Sequence, residues 1–132
     1  MNTRFSTPGL NNMKKPSASW IGVDLDGTLA IWEPTDNYDP TIIGNPIQPM
    51  VDRVKNWLAN GIEVRIFTAR VTEDGYRNIE LVRSAIQDWC EIHLGQRLKV
   101  TNIKDYGLIK LWDDRAVGVI PNTGIPCCLN NQ

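Results

Sequence analysis

The sequence predicts an α/β protein: a three-layer, doubly wound parallel sheet with no separate cap domain. Two observations predict it. Short apolar runs alternate with stretches whose apolar residues recur at helical spacing, in the order strand, helix, strand, helix, strand and then further strands. Right-handed crossovers between such strands make the sheet parallel. Each major apolar run is also followed directly by acidic, basic or hydroxyl residues, and ligands of parallel sheets sit at the carboxyl ends of the strands.

At 132 residues the chain is expected to form one domain that buries roughly two thirds of its unfolded surface. The formal net charge is −1 and no basic stripe covers the chain, which disfavours a general nucleic-acid coat. No apolar run approaches the roughly 18 residues of a membrane span. The first residues lack the apolar core of a secretory signal. Three cysteines, an odd number, argue against a disulfide framework and fit a reducing, cytoplasmic setting. Cys90 falls in an apolar helical stripe, as a core residue does. A metal role for Cys127 and Cys128 lacks partnering Cys or His residues.

Residues 1–18 mix Asn, Ser, Thr, Pro, Gly and Lys and read as a mobile arm, with Lys14 and Lys15 a solvated pair. Trp20 to Leu25 is apolar on both faces, as a central parallel strand should be. Residues 30–48 carry Pro34, Pro40, Gly44 and Pro46 and read as a flap. Its Trp32 and Tyr38 either cover a ligand or pack the flap onto the body. Pro49 opens a helix whose apolar residues are Met50, Val51, Val54, Trp57 and Leu58, and Asn60-Gly61 ends it. Ile62 to Phe67 is the second strand. A second helix is expected from Asp74 to His93, burying Ile79, Val82, Ile86, Trp89 and Cys90, with Gly95 as its stop. His93, the only histidine, sits beside that stripe as a structural residue. Leu98 to Thr101, Gly107 to Trp112 and Ala116 to Ile120 complete the expected strands. The globular part is thus expected over residues 19–121, with a tail from 122 to 132.

The chemistry gathers at the strand ends. Asp24 and Asp26, two residues apart at the end of the first strand, can face one site. Thr68-Ala69-Arg70 ends the second strand, and Asp113-Asp114-Arg115 the fourth. Lys104 lies just beyond the third. Four carboxylates with a lysine, an arginine and a threonine suit a hard divalent cation and an anion. Oxygen-only ligands select Mg²⁺, which keeps waters for a phosphate. One carboxylate can attack phosphorus to form an aspartyl-phosphate, and a second can move the proton. Asp24, at the strand end, is the better nucleophile; Asp26, one step into the turn, is the better acid and base. Gly27 leaves room for the backbone to approach phosphate, and Thr28 is expected to fix Asp26 by a hydrogen bond within the turn.

Asp24-Leu25-Asp26-Gly27-Thr28 resembles the DxDGT motif of the haloacid dehalogenase-like (HAD) phosphohydrolases, a Rossmannoid superfamily. Thr68, Lys104 and Asp113-Asp114 are similar to its second, third and fourth motifs, in order, over residues 19–121. The resemblance implies that Asp24 is the nucleophile and a metal ligand. Asp26 would be the acid and base and would give the metal its backbone carbonyl. Thr68 and Lys104 would hold the phosphoryl group. Asp113 and Asp114 would complete the Mg²⁺ site, one directly and the other through water, in either assignment. Lys110 competes with Lys104, but it sits mid-strand.

The gaps between motifs hold no cap domain, so the chain resembles capless members, including phage and bacterial hydrolases of this kind. Thr68-Ala69-Arg70 and Asp113-Asp114-Arg115 also resemble the phosphatase domain of polynucleotide kinase-phosphatases and the deoxyribonucleotidases. Arg70 either grips a second phosphate or pairs with a site carboxylate. Trp32 could stack on a base. The expectation is a cytoplasmic, Mg²⁺-dependent phosphatase, monomeric or weakly dimeric, acting on a phosphorylated small molecule or a nucleic-acid end and not on a membrane. The rivals are a receiver-like phosphoacceptor, whose acidic pattern fits poorly here, and a non-catalytic binding domain on a similar fold.

Overall fold

The computed structural model describes residues 19–33 and 35–127. The arm with Lys14 and Lys15, Pro34 of the flap, and residues 128–132 of the tail, Cys128 among them, lie outside the described residues. Four strands form one all-parallel sheet: β1 (Trp20–Asp24), β2 (Glu63–Phe67), β3 (Val100–Thr101) and β4 (Leu108–Trp112), in the order β3-β2-β1-β4. Helix α1 (Gln48–Ala59) connects β1 to β2, and α2 (Ile79–Leu94) connects β2 to β3. The parallel α/β architecture is therefore present. Asp24 pairs with Phe67, and Phe67 with Thr101, so the ends of three strands lie level. Among the described residues no helix is long and apolar enough to cross a membrane.

The two helices pack on each other and on one face of the sheet. Val54 of α1 and Ile86 of α2 share a core with Val23, Val64 and Ile66, all fully or almost fully buried. Pro49 at the start of α1 supplies the dihedral that the first turn needs and lacks only an N–H that turn leaves unpaired. The opposite face is built differently. Trp20 is fully buried there, with the Arg65 guanidinium 4.5 Å over its ring and Phe67 stacked at 6.5 Å. Leu108 and Leu111 lie beside it, both within 3.2 Å of where a Cβ on Gly22 would stand. Of the three layers expected, the sheet and one helical layer are present among the described residues. The second face carries the short connection from β3 to β4, whose Asp105 accepts a hydrogen bond from Trp20 Nε1 at 2.8 Å.

Three boundaries differ from the sequence reading. Helix α2 begins at Ile79, not Asp74, because Gly75 has φ of +80°, outside the helical region, and the Asp74 carboxylate closes a turn around it by accepting from the N–H groups of Tyr76 and Arg77. Asn78 then caps the helix, accepting from the N–H of Leu81 at 3.2 Å. Strand β3 is only two residues long. The expected fifth strand, Ala116 to Ile120, does not join the sheet. The Asp113 carboxylate accepts from the Arg115 N–H and turns the chain. It then pairs with its own tail, through Ile120 N–H to the Ile125 carbonyl and Cys127 N–H to the Gly118 carbonyl. Val117, Val119 and Ile120 stay exposed.

Candidate active site

A cleft of about 620 Å³ opens at the carboxyl ends of the strands. Asp24 and Asp26 line it from β1 and the following turn, Thr68, Ala69 and Arg70 from β2, and Asp113 and Asp114 from β4. The turn after β1 is tight. The carbonyl of the buried Leu25 accepts from the N–H groups of Leu29 and Ala30, and the Gly27 N–H reaches back to the Ala30 carbonyl. Gly27 has φ of +90°, and a Cβ there would stand 2.5 Å from Asp114 Oδ2. Glycine is needed for both reasons: the conformation is left-handed, and the carboxylate takes the space a side chain would fill.

Asp24, Asp113 and Asp114 each place a carboxylate oxygen within 4.8 Å of the others. Burial holds the Asp24 carboxyl well above its ordinary range, at about 7; the hydrogen bond to Asp114 and the charges of Asp113 and Asp114 add to the rise, and the Thr28 hydroxyl opposes it. Thr28 Oγ1 lies 3.3 Å from both Asp24 Oδ2 and Asp114 Oδ1 and accepts from the Asp114 N–H at 3.0 Å. Thr28 therefore ties Asp24 to Asp114, and does not fix Asp26 as expected from the sequence. Three converging carboxylates form an oxygen-only set that can hold a hard divalent cation.

Asp26 is held by Arg70. Both its oxygens accept from the guanidinium, Oδ2 from Nε and Oδ1 from Nη2, each at 2.8 Å. Of the two readings of Arg70, the ion pair with a site carboxylate is the one the geometry contains; the guanidinium is 5% exposed on its side chain. Thr68 is buried, and its hydroxyl oxygen accepts from the Arg70 N–H at 3.1 Å. That leaves the hydroxyl hydrogen to donate into the cleft.

Lys104 is exposed and is not among the cleft-lining residues. The reason lies in the connection that carries it. Asp105, the next residue, is tied to Trp20, and the Gly107 carbonyl accepts from the Trp20 N–H at the start of β1. The chain thus leaves the strand ends as soon as it passes Thr101. Lys110 is no substitute, since it sits opposite Ile21 within β4. The cations that do line the cleft, besides Arg70, are Arg77 and Arg115. Arg77 is half occupied, donating to Asp74 and to the Arg70 carbonyl. No sequence motif singles out Arg77, which sits in the turn ahead of α2. The Arg115 guanidinium has no hydrogen-bond or ion-pair partner among the described residues.

The flap brings two aromatic rings to the cleft. Trp32 and Tyr38 meet edge to face at 5.6 Å, and both remain partly exposed, at 38% and 46%. The flap is fastened at its base by Ile31 N–H to the Asn45 carbonyl and by Trp89 Nε1 of α2 to the Gly44 carbonyl at 3.0 Å. A Cβ on Gly44 would overlap the Ile31 carbonyl oxygen, so the close crossing of the two flap arms requires glycine there. Cys90 is buried, its thiol pushed up to about 12 by that burial, and the His93 ring lies tilted against Trp89 at 4.6 Å; both serve packing away from the cleft.

Fold and site together define a parallel α/β protein with an acidic cleft at the strand ends. No protein-family model and no curated protein matches the chain. Among solved structures it is similar to a conserved protein from Bacteroides thetaiotaomicron, at 25% identity and a TM-score of 0.51, over 80% of this chain and 84% of that one. The likeness is one of fold.

Proposed function

We propose that this protein is a capless phosphohydrolase of the HAD-like kind, cleaving a phosphate monoester through an aspartyl-phosphate on Asp24. The observation that carries the reading is the division of the carboxylates. Asp24 joins Asp113 and Asp114 within 4.8 Å, while Asp26, two residues on, is held apart by Arg70. One group suits a cation and the nucleophile; the other suits proton transfer.

Asp24, Asp113 and Asp114 would hold Mg²⁺, which when bound supplies charge neutralisation for the anionic substrate. The Asp24 carboxylate attacks phosphorus, the bond from phosphorus to the ester oxygen breaks, and Asp26 gives that oxygen its proton. Water then attacks the acyl phosphate while Asp26 takes back a proton, which releases inorganic phosphate and free Asp24. The Thr68 hydroxyl donates to a phosphoryl oxygen, and Arg115 and Arg77 offer positive charge along the cleft wall. Lys104 joins them only by swinging its side chain toward the cleft, which its exposure permits. Trp32 and Tyr38 offer ring faces to a base. Nucleotides and polynucleotide ends are accordingly the proposed substrates ahead of sugar phosphates, for a cytoplasmic protein that is a monomer or weak dimer.

Asp24→Asn is expected to abolish hydrolysis of p-nitrophenyl phosphate in Mg²⁺ while leaving the far-ultraviolet circular dichroism unchanged. Near-wild-type activity in that variant, or full activity in EDTA, would refute the mechanism. Turnover of 3′- and 5′-phosphorylated oligonucleotides, mononucleotides and sugar phosphates ranks the substrates; turnover of sugar phosphates alone would remove the nucleotide reading.

A further inference from the structure

The hydrogen bonds of Arg70 reach in two directions. Toward β1 it binds both oxygens of Asp26. Toward the flap, Nη1 donates to the carbonyls of Pro40 and Ile42 at 2.9 and 2.8 Å. The Tyr38 and Trp32 rings lie 5.3 and 5.7 Å from the same guanidinium carbon. Four of the five N–H groups of a guanidinium are thus committed, two to a site carboxylate and two to the flap. Among the described residues, the hydrogen bonds that fasten flap residues 36–43 to the rest of the protein all run through Arg70. The base of the flap is held separately, by Asn45 and Trp89.

We propose that Arg70 is a positioning residue that couples the seating of the flap to the orientation of Asp26. The proposal rests on the reading of Asp26 as the proton-transfer group. A planar fork bound at two oxygens fixes the plane of a carboxylate, which a lysine or a single hydrogen bond cannot do. A carboxylate has about four lone-pair positions, and the guanidinium takes two, so Asp26 keeps capacity to exchange a proton with a leaving oxygen or a water in the cleft. The same fork holds its orientation only while the Pro40 and Ile42 carbonyls hold Nη1. Displacing the flap tip leaves two buried donors unpaired, and the guanidinium then turns to recover them, taking Asp26 with it. Flap position is in this way transmitted to the proton-transfer group, with the aromatic pair of the flap resting on the same arginine.

The test uses the full chain, with Arg70→Gln, Arg70→Lys and Asp26→Asn, on two esters in Mg²⁺. p-Nitrophenyl phosphate has a leaving group that departs without a proton; a primary alkyl phosphate needs one. Arg70→Gln is expected to lower kcat for the alkyl ester about ten-fold or more beyond any fall for the nitrophenyl ester, as Asp26→Asn does more strongly. KM should move by no more than about two-fold, and Arg70→Lys should recover only part of the loss. A second readout needs no turnover: chymotryptic cleavage at Tyr38 should accelerate in Arg70→Gln and in Asp26→Asn, and less in Arg70→Lys. Equal falls on both esters, or unchanged cleavage in folded Arg70→Gln, overturns the coupling; if Arg70→Gln does not fold, Arg70→Lys decides on the same two readouts. A wild-type protein inactive on every ester overturns the phosphatase reading and the proton-transfer half of this proposal, while cleavage still decides whether Arg70 seats the flap.

Discussion

Asp24 and Asp26 are two residues apart and of the same type, yet their surroundings are opposite. Asp24 faces two carboxylates and a hydroxyl; Asp26 faces a guanidinium. The spacing brings both to one end of a strand and ranks Asp24 as the nucleophile and Asp26 as the acid and base, but it contains nothing of the separation of their surroundings. The separation comes from Asp114 filling the space above Gly27 and from Arg70 arriving from the next strand. The raised Asp24 carboxyl has a consequence for stability in the absence of a cation. Its folded value of about 7 stands above the ordinary 3.8, so the fold prefers the protonated form. The stabilisation is complete below about pH 4 and is lost as pH rises through about 7. In EDTA the melting temperature is expected to be lower at about pH 8 than at about pH 5, and Asp24→Asn should flatten that difference. Thermal unfolding of both proteins at the two pH values checks it; an unchanged slope in Asp24→Asn counts against the assignment.

The periodic parts of the elements were legible and their ends were not. Val82, Ile86, Trp89 and Cys90 recur on one face of α2 and are buried as their spacing requires. The start of that helix is a competition between backbone partners. The Asp74 carboxylate, drawn down to about 2 chiefly by the N–H groups of Tyr76 and Arg77, holds those donors in a turn that passes through Gly75 at φ of +80°, which a helix starting there would not contain. Asn78 takes over the cap four residues later. Asn78→Ala is expected to cost about 1 kcal/mol, measurable as a lower urea midpoint with an unchanged slope. A loss near zero would mean that Asp74, not Asn78, sets the helix start. The residues from 116 to 120 have strand-like composition and do pair, but with a partner in the tail reached through a four-residue turn. Local closure needs less chain entropy than alignment along the edge of a sheet.

At the scale of the molecule, one connection carries much of the difference between expectation and structure. The segment from Asn102 to Gly107 crosses from β3, at one edge of the sheet, to β4 at the other, and Trp20 anchors it through both its indole and its backbone N–H. Among the described residues that crossing, and not a helix, lies on the second face of the sheet, and it draws Lys104 away from the cleft. Trp20→Phe keeps a buried ring beside Arg65 and Phe67 but removes the bond to the Asp105 carboxylate. It is expected to cost roughly 1–3 kcal/mol, as the loss of a hydrogen bond to a charged group does. The denaturant midpoint measures it, and an unchanged midpoint would show that the indole donor does not hold the crossing.

The sequence by itself determined the parallel α/β class, the strand cores and the acidic ends of β1 and β4, because apolar periodicity and the polar residue after each run are local properties. Only the tertiary structure decided which carboxylates share a cluster, which arginine is spent on Asp26 and the flap, and that the third strand's lysine stands outside the cleft. Those depend on neighbours far apart in the chain, 44 residues for Asp26 and Arg70 and 86 for Thr28 and Asp114. No pattern along one strand specifies them, since a side chain's partner is set by the strand order and by the path of the connections between the strands.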